Sequence, residues 1–137
     1  MSYLLDTNVL SEWRRPTPDQ GVMEWLDIVE PDELFLSVIT VGELRRGVVM
    51  LQRRGAHRRA AALERWLKAT LQLFADRVVP VSLEVALEWG ACGARGSVPI
   101  ADGLIGATAR VHGWTVVTRN TKDFELAGAR LLNPFTG

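Results

Sequence analysis

Short strand-like apolar runs alternate along this chain with longer stretches of helical periodicity, and that order leaves few folds open to it. Residues 2–5, 34–38 and 115–118 are short, apolar or rich in β-branched and aromatic side chains, and bounded by turn or cap residues, which predicts buried strands. Residues 77–81 and 130–132 are weaker signals for two more, the first containing Pro80 and the second ended by Asn133 and Pro134. Between them, Val41, Leu44, Val48 and Leu51 share one helical face that stops near Gly55. Leu63, Trp66, Leu67, Thr70, Leu71 and Phe74 mark a second helix that begins near Ala56, so the two form a hairpin. Further helices are expected at 21–29, 83–94 and 99–112, the last closed by Gly113. Parallel neighbours need long crossovers, and helices are the usual way to build them. The expectation is an α/β fold with a central parallel sheet of about five strands, covered on both faces.

At 137 residues there is room for a single domain, 1–137. Hydrophobic residues make up 47% and charged ones 23%, too apolar a balance for a disordered chain. The longest charge-free stretch, 34–42, is far shorter than the roughly 18 residues a membrane helix needs, so no membrane association is expected. No secretory signal pattern precedes the first strand, and Cys92 is the lone cysteine, which together fit a reducing cytoplasm. Sixteen basic and sixteen acidic side chains cancel, but unevenly along the chain. Asp19, Glu24, Asp27, Glu30, Asp32, Glu33 and Glu43 fall in a stretch without Lys or Arg. Arg45, Arg46, Arg53, Arg54, Arg58, Arg59, Arg65 and Lys68 then follow with Glu64 as the one acid among them. Such a basic run is either a solvated helix face or a phosphate-binding flank.

Four acids from separate parts of the sequence are each expected at or just beyond one edge of the sheet. Asp6 closes the first apolar run and is followed by Thr7 and Asn8, at the strand edge where open α/β sheets bind ligands; capping of the next helix is the plainer role for it. Thr40-Val41-Gly42-Glu43 has the spacing of a capping box, which leaves Glu43 ambiguous. Asp102 shares a helical face with Ile105, Gly106 and Ala109, where an ionised carboxylate would be partly desolvated with no Lys or Arg one turn away. Gly103 and Gly106 in that helix suggest close approach of another segment. Thr118-Arg119-Asn120-Thr121-Lys122-Asp123-Phe124 reads as a polar loop, with an Asx-turn as its simplest structure, that again delivers a carboxylate at a strand end. Two like charges 4 Å apart repel by about 4 kcal/mol at an effective dielectric of 20, so four acids at one edge call for a cation. Oxygen donors without a His pair or Cys cluster point to Mg²⁺ or Mn²⁺, and hence to phosphodiester chemistry.

In the segments LLDTNVLSE (4–12), SVITVGELRRG (37–47), PIADGLIGATA (99–109) and VVTRNTKDF (116–124), the chain resembles PIN-domain proteins, specifically VapC-type toxins of toxin-antitoxin pairs in the FitB-like branch. The resemblance implies a Rossmann-like α/β/α sandwich and an acidic Mg²⁺ or Mn²⁺ pocket in which Asp6, Glu43 and Asp102 match the dependable acids. The last motif in many members reads T-x-D-x-D-F; here Asn120 replaces its first acid, so the fourth carboxylate is assigned to Asp123 and Asn120 becomes its hydrogen-bonding neighbour. Thr7, Asn8 and Thr118 match supporting polar positions. The implied activity is RNA hydrolysis by metal-activated water, leaving a 5′-phosphate and a 3′-hydroxyl. The implied partners are RNA, a second copy of the chain, and an antitoxin, gripped by the hairpin at 45–75, whose basic C-terminal segment reaches the pocket, which would make a toxin-antitoxin hetero-oligomer. Arg45 and Arg46 become candidate phosphate contacts. A PIN-type nuclease acting on DNA or in RNA processing is the alternative. A receiver-like phospho-acceptor module is more distant, since Ser82 rather than an acid follows the third strand.

Overall fold

The computed structural model describes residues 1–92 and 97–136. The chain runs β1 (Tyr3–Leu5), α1 (Thr7–Trp13), α2 (Gln20–Ile28), a 3-10 turn at Pro31–Glu33, β2 (Leu34–Ser37), α3 (Val38–Arg53), α4 (His57–Leu73), β3 (Val78–Val79), α5 (Leu83–Cys92), α6 (Ile100–His112), β4 (Thr115–Val117), α7 (Thr121–Leu126) and β5 (Arg130–Leu132). All five strands form one sheet in the order β3-β2-β1-β4-β5, and every pairing is parallel. The expected fold class is therefore what forms. The last two residues of the helix predicted at 83–94 lie outside the described residues.

Because successive strand residues point to opposite faces, Leu5, Leu34, Leu36 and Val117 pack on one side with Val9, Leu10, Val22, Leu44, Leu67 and Phe74 of the helices. Leu4 and Val116 pack on the other with Ile105, Ala109 and Phe124. The far end of the α3–α4 hairpin carries its own small cluster of Val48, Leu51, Ala60 and Leu63, which lets it extend from the sheet. Gly113 takes φ +71° and ends α6, donating to the Ala109 and Arg110 carbonyls. Gly103 and Gly106 do mark close approaches: a Cβ on the first would meet the Trp89 indole at 2.9 Å, and one on the second the Ala127 methyl at 3.0 Å.

Three local expectations are corrected. The capping box at Thr40–Glu43 does not form, because α3 begins directly after β2 and Ser37 takes the cap, its hydroxyl accepting from the Ile39 N–H at 3.0 Å. Thr40 lies inside the helix and is fully buried. The polar segment 118–124 is not a loop throughout, since Thr121–Leu126 is helical and buries Phe124. The strand predicted at 77–81 shrinks to Val78–Val79, because the Arg77 N–H is spent on the Phe74 carbonyl and Pro80 has no N–H to give.

Candidate active site

The switch in strand order falls between β1 and β4. The chain leaves β1 into α1, whose Val9 and Leu10 pack on one face, and leaves β4 toward α7, whose Phe124 packs on the other. A crevice opens between such diverging connections at the carboxyl ends of the strands. Asp6 and Thr118 are the residues that immediately follow these two strands.

Asp6 is 6% exposed and heavily hydrogen-bonded. One carboxylate oxygen accepts from the Thr7 N–H at 2.8 Å; the other accepts from the Thr118 hydroxyl at 2.8 Å and the Asn8 amide at 3.2 Å. The Thr7 contact caps α1, so the structural role expected of Asp6 is real and coexists with its place in the crevice. Burial pushes its carboxyl above the usual range, the Glu43 charge adds to the rise, and the Thr118 and Thr7 bonds oppose it. The Thr7 hydroxyl donates to Glu43 Oε1 at 2.7 Å, tying the exposed acid of α3 to the first motif. Asn8 is itself held, its side-chain oxygen accepting from the Arg119 N–H at 3.2 Å.

Asp102 and Asp123 form the other half. The Asn120 side-chain amide donates to Asp102 Oδ2 at 3.2 Å and to Asp123 Oδ2 at 3.0 Å. The Asn120 N–H in turn donates to the Thr118 hydroxyl at 2.9 Å, so Thr118 links both halves. Asp102 is pushed up to about 6, first by partial burial, then by the charges of Asp6, Asp123 and Glu43, and further by a hydrogen bond with Asp123. No ion pair among the described residues neutralises any of the four acids.

Asp6, Glu43, Asp102 and Asp123 are thus drawn from four elements into two hydrogen-bonded pairs, one bridged by Thr7 and the other by Asn120. They are not closed into a cage, and no group of three or more His, Cys, Asp or Glu among the described residues stands at metal-holding spacing. In kind, the set fits a hard divalent cation: oxygen donors only, with negative charge that no base among the described residues compensates. The hydrogen-bond donors to the four acids among the described residues are Thr7, Asn8, Thr118 and Asn120, all legible in the sequence. Arg45 lies apart from them in an ion pair with Glu64 at 3.1 Å. Arg46 is exposed one turn beyond Glu43.

The family model for the PIN domain matches residues 3–129. This chain belongs to the PIN-domain family. Toxin FitB of Neisseria gonorrhoeae is 39% identical over 137 residues, covering 96% of this chain and 97% of that protein. VapC ribonuclease Y4jK of Sinorhizobium fredii is 37% identical, with 96% of each chain covered. The crystal structure of FitAcB from Neisseria gonorrhoeae superposes with a TM-score of 0.87 at 38% identity, over 96% of this chain and 97% of that one. Membership in the PIN-domain family displaces the receiver-like alternative. Among the described residues of this PIN domain, no helix is long and apolar enough to cross a membrane.

Proposed function

We propose that this PIN domain is a Mg²⁺-dependent endoribonuclease, with Mn²⁺ able to substitute, and that it is the toxin of a toxin-antitoxin pair working in the cytoplasm. The observation that carries the reading is the meeting of Asp6, Glu43, Asp102 and Asp123 at the β1/β4 crevice with no Lys or Arg among the described residues paired to any of them. The names borne by relatives that match nearly the whole chain, a toxin and a VapC ribonuclease, support it.

Asp6, Asp102, Glu43 and Asp123 are the residues that would hold the cation. When bound, it would supply the positive charge that makes a water nucleophilic and offsets charge building on the phosphate. Asp6 is kept in one rotamer by Thr7, Asn8 and Thr118. Thr7 restrains Glu43, which stands on an exposed part of α3. Without the cation the carboxyl of Asp102 is raised to about 6, so holding the ion requires it to give up its proton, and Asn120 keeps it beside Asp123. None of these residues serves as a covalent nucleophile in this reading.

An antitoxin is the proposed protein partner, with homodimers of this chain as the second assembly. The α4 side of the hairpin suits a partner helix, for Trp13, Trp66, Thr70 and Leu73 line a groove there and Leu73 is 56% exposed. The antitoxin's basic C-terminal segment would complement the four acids of the crevice.

The test is cleavage of single-stranded RNA and, in parallel, DNA of the same sequence. RNA is expected to be cut with Mg²⁺ or Mn²⁺ and spared with EDTA, and Asp6→Asn and Asp102→Asn are expected to stop cutting while circular dichroism stays unchanged. Preference for DNA would support the alternative substrate, and undiminished cutting by both variants would sink the site assignment.

A further inference from the structure

The outer face of α3 carries a row of side chains that the carboxylate crevice does not use. Gly42, Arg45, Arg46, Val49, Met50, Arg53 and Arg54 line one continuous groove. Their spacing of three and four residues places them along one side of the helix. The opposite side, Thr40, Leu44, Val48 and Leu51, is buried. Arg45 is held by Glu64, but Arg46, Arg53 and Arg54 are exposed and take part in no ion pair or side-chain hydrogen bond among the described residues. Met50 is 49% exposed between them.

Gly42 adds an independent observation. It sits in a helix where Ala would be more favourable by about 1 kcal/mol. A Cβ built on it would meet nothing within 4 Å, so packing inside the molecule does not call for a glycine. Its bare backbone leaves the N-terminal end of the groove open beside Arg45 and Arg46.

We propose that this face of α3 is a track for single-stranded RNA leading to the crevice, with Arg46 contacting a phosphate beside it, Arg53 and Arg54 contacting phosphates about three nucleotides further along, and Met50 and Val49 giving the bases an apolar surface. The inference rests on the ribonuclease reading and extends it to how the substrate is held. Two features commit the occupant to a polyanion: three unpaired guanidinium groups in line, and continuity with Glu43 on the same helix. From Glu43 to Arg54 the helix axis advances about 16 Å. A stacked strand rising 3.4 Å per nucleotide covers that length with roughly five nucleotides. Arg46 therefore serves the phosphates next to the crevice, and Arg53 with Arg54 serves only RNAs that extend several nucleotides past it.

The experiment compares full-length wild-type protein with the double variant Arg53→Gln/Arg54→Gln by fluorescence anisotropy in EDTA, using a labelled three-nucleotide and a labelled twelve-nucleotide single-stranded RNA at several salt concentrations. For the longer RNA, losing two contacts is expected to flatten the slope of log affinity against log salt by about 1.4, or about 25-fold in affinity at 0.1 M salt relative to 1 M. The three-nucleotide RNA is expected to lose nothing. Arg53→Lys/Arg54→Lys is expected to retain the slope, which separates lost charge from a disturbed helix. Equal slopes for wild type and the Gln variant on the longer RNA, including the case where neither binds, would overturn the proposal. So would unchanged RNA affinity accompanied by loss of a protein partner. Cleavage by wild-type protein with Mg²⁺, run alongside, separates the two levels: a protein that cuts RNA yet shows equal slopes loses only the track, whereas one that cuts none loses the ribonuclease reading itself.

Discussion

The Thr118 hydroxyl donates to Asp6 Oδ2 at 2.8 Å across 112 residues of sequence, and both side chains are buried. The same oxygen accepts from the Asn120 N–H, so one hydroxyl orients the acid after β1 and the turn after β4. Thr118→Val keeps the shape and removes both interactions. The expected cost is about 1–3 kcal/mol in urea unfolding, because a buried carboxylate loses a donor. RNA cleavage is expected to fall with it, and unchanged stability would show that the bond contributes nothing net.

Asp102 sets a pH dependence with a definite sign. Its carboxyl is raised from 3.8 in the unfolded chain to about 6 in the folded one, so the folded state binds the extra proton between those values. The stability this group contributes is full below about 3.8 and is lost as pH rises through about 6. In EDTA, the melting temperature of Asp102→Asn is expected to exceed that of wild type above pH 6 and to lose the advantage near pH 4. A constant difference across the range would contradict the assignment.

Divalent cation binding should mirror that curve. Calorimetric titration with Mg²⁺ is expected to show weaker affinity and release of protons below pH 6, since the cation must displace the proton from Asp102. Proton-independent binding would place the ion away from Asp102.

Asn120→Asp replaces a donor that bridges Asp102 and Asp123 with a further acid. Without metal, repulsion among the acids is expected to lower the melting temperature above pH 6. With Mg²⁺ the loss is expected to reverse, and affinity for the ion to increase. A variant as stable as wild type in EDTA would mean that the amide bridge holds nothing together.

Gly113→Ala tests the stop of α6. At φ +71° an added Cβ is expected to cost about 1–2 kcal/mol with no change in cleavage per folded molecule. An unaltered midpoint in urea would show that the backbone there relaxes freely.

How much of this was legible in the sequence follows from the range of the interactions involved. Short apolar runs separated by amphipathic helices commit the chain to a parallel sheet, because burial of alternate faces is a local periodicity and crossovers need length. An acid ending a strand and an acid on an apolar helix face are local signals, so Asp6 and Asp102 stood out from the residues themselves, whereas Glu43, Asp123, Thr7, Asn8, Thr118 and Asn120 were named through the resemblance of their motifs. Competition between equivalent local options was not legible. Ser37 and Thr40 both offer a capping hydroxyl, and the direct passage from β2 into α3 gave the cap to Ser37 and buried Thr40 within the helix. Residues 121–126 are too short to announce a helix, and Phe124 is drawn into one by packing beneath α6 with Ile105 and Ala109. The pairing of Asp6 with Glu43 and of Asp102 with Asp123 was likewise decided only in three dimensions, since which carboxylates share a donor depends on where α3, α6 and α7 come to rest around the β1/β4 crevice.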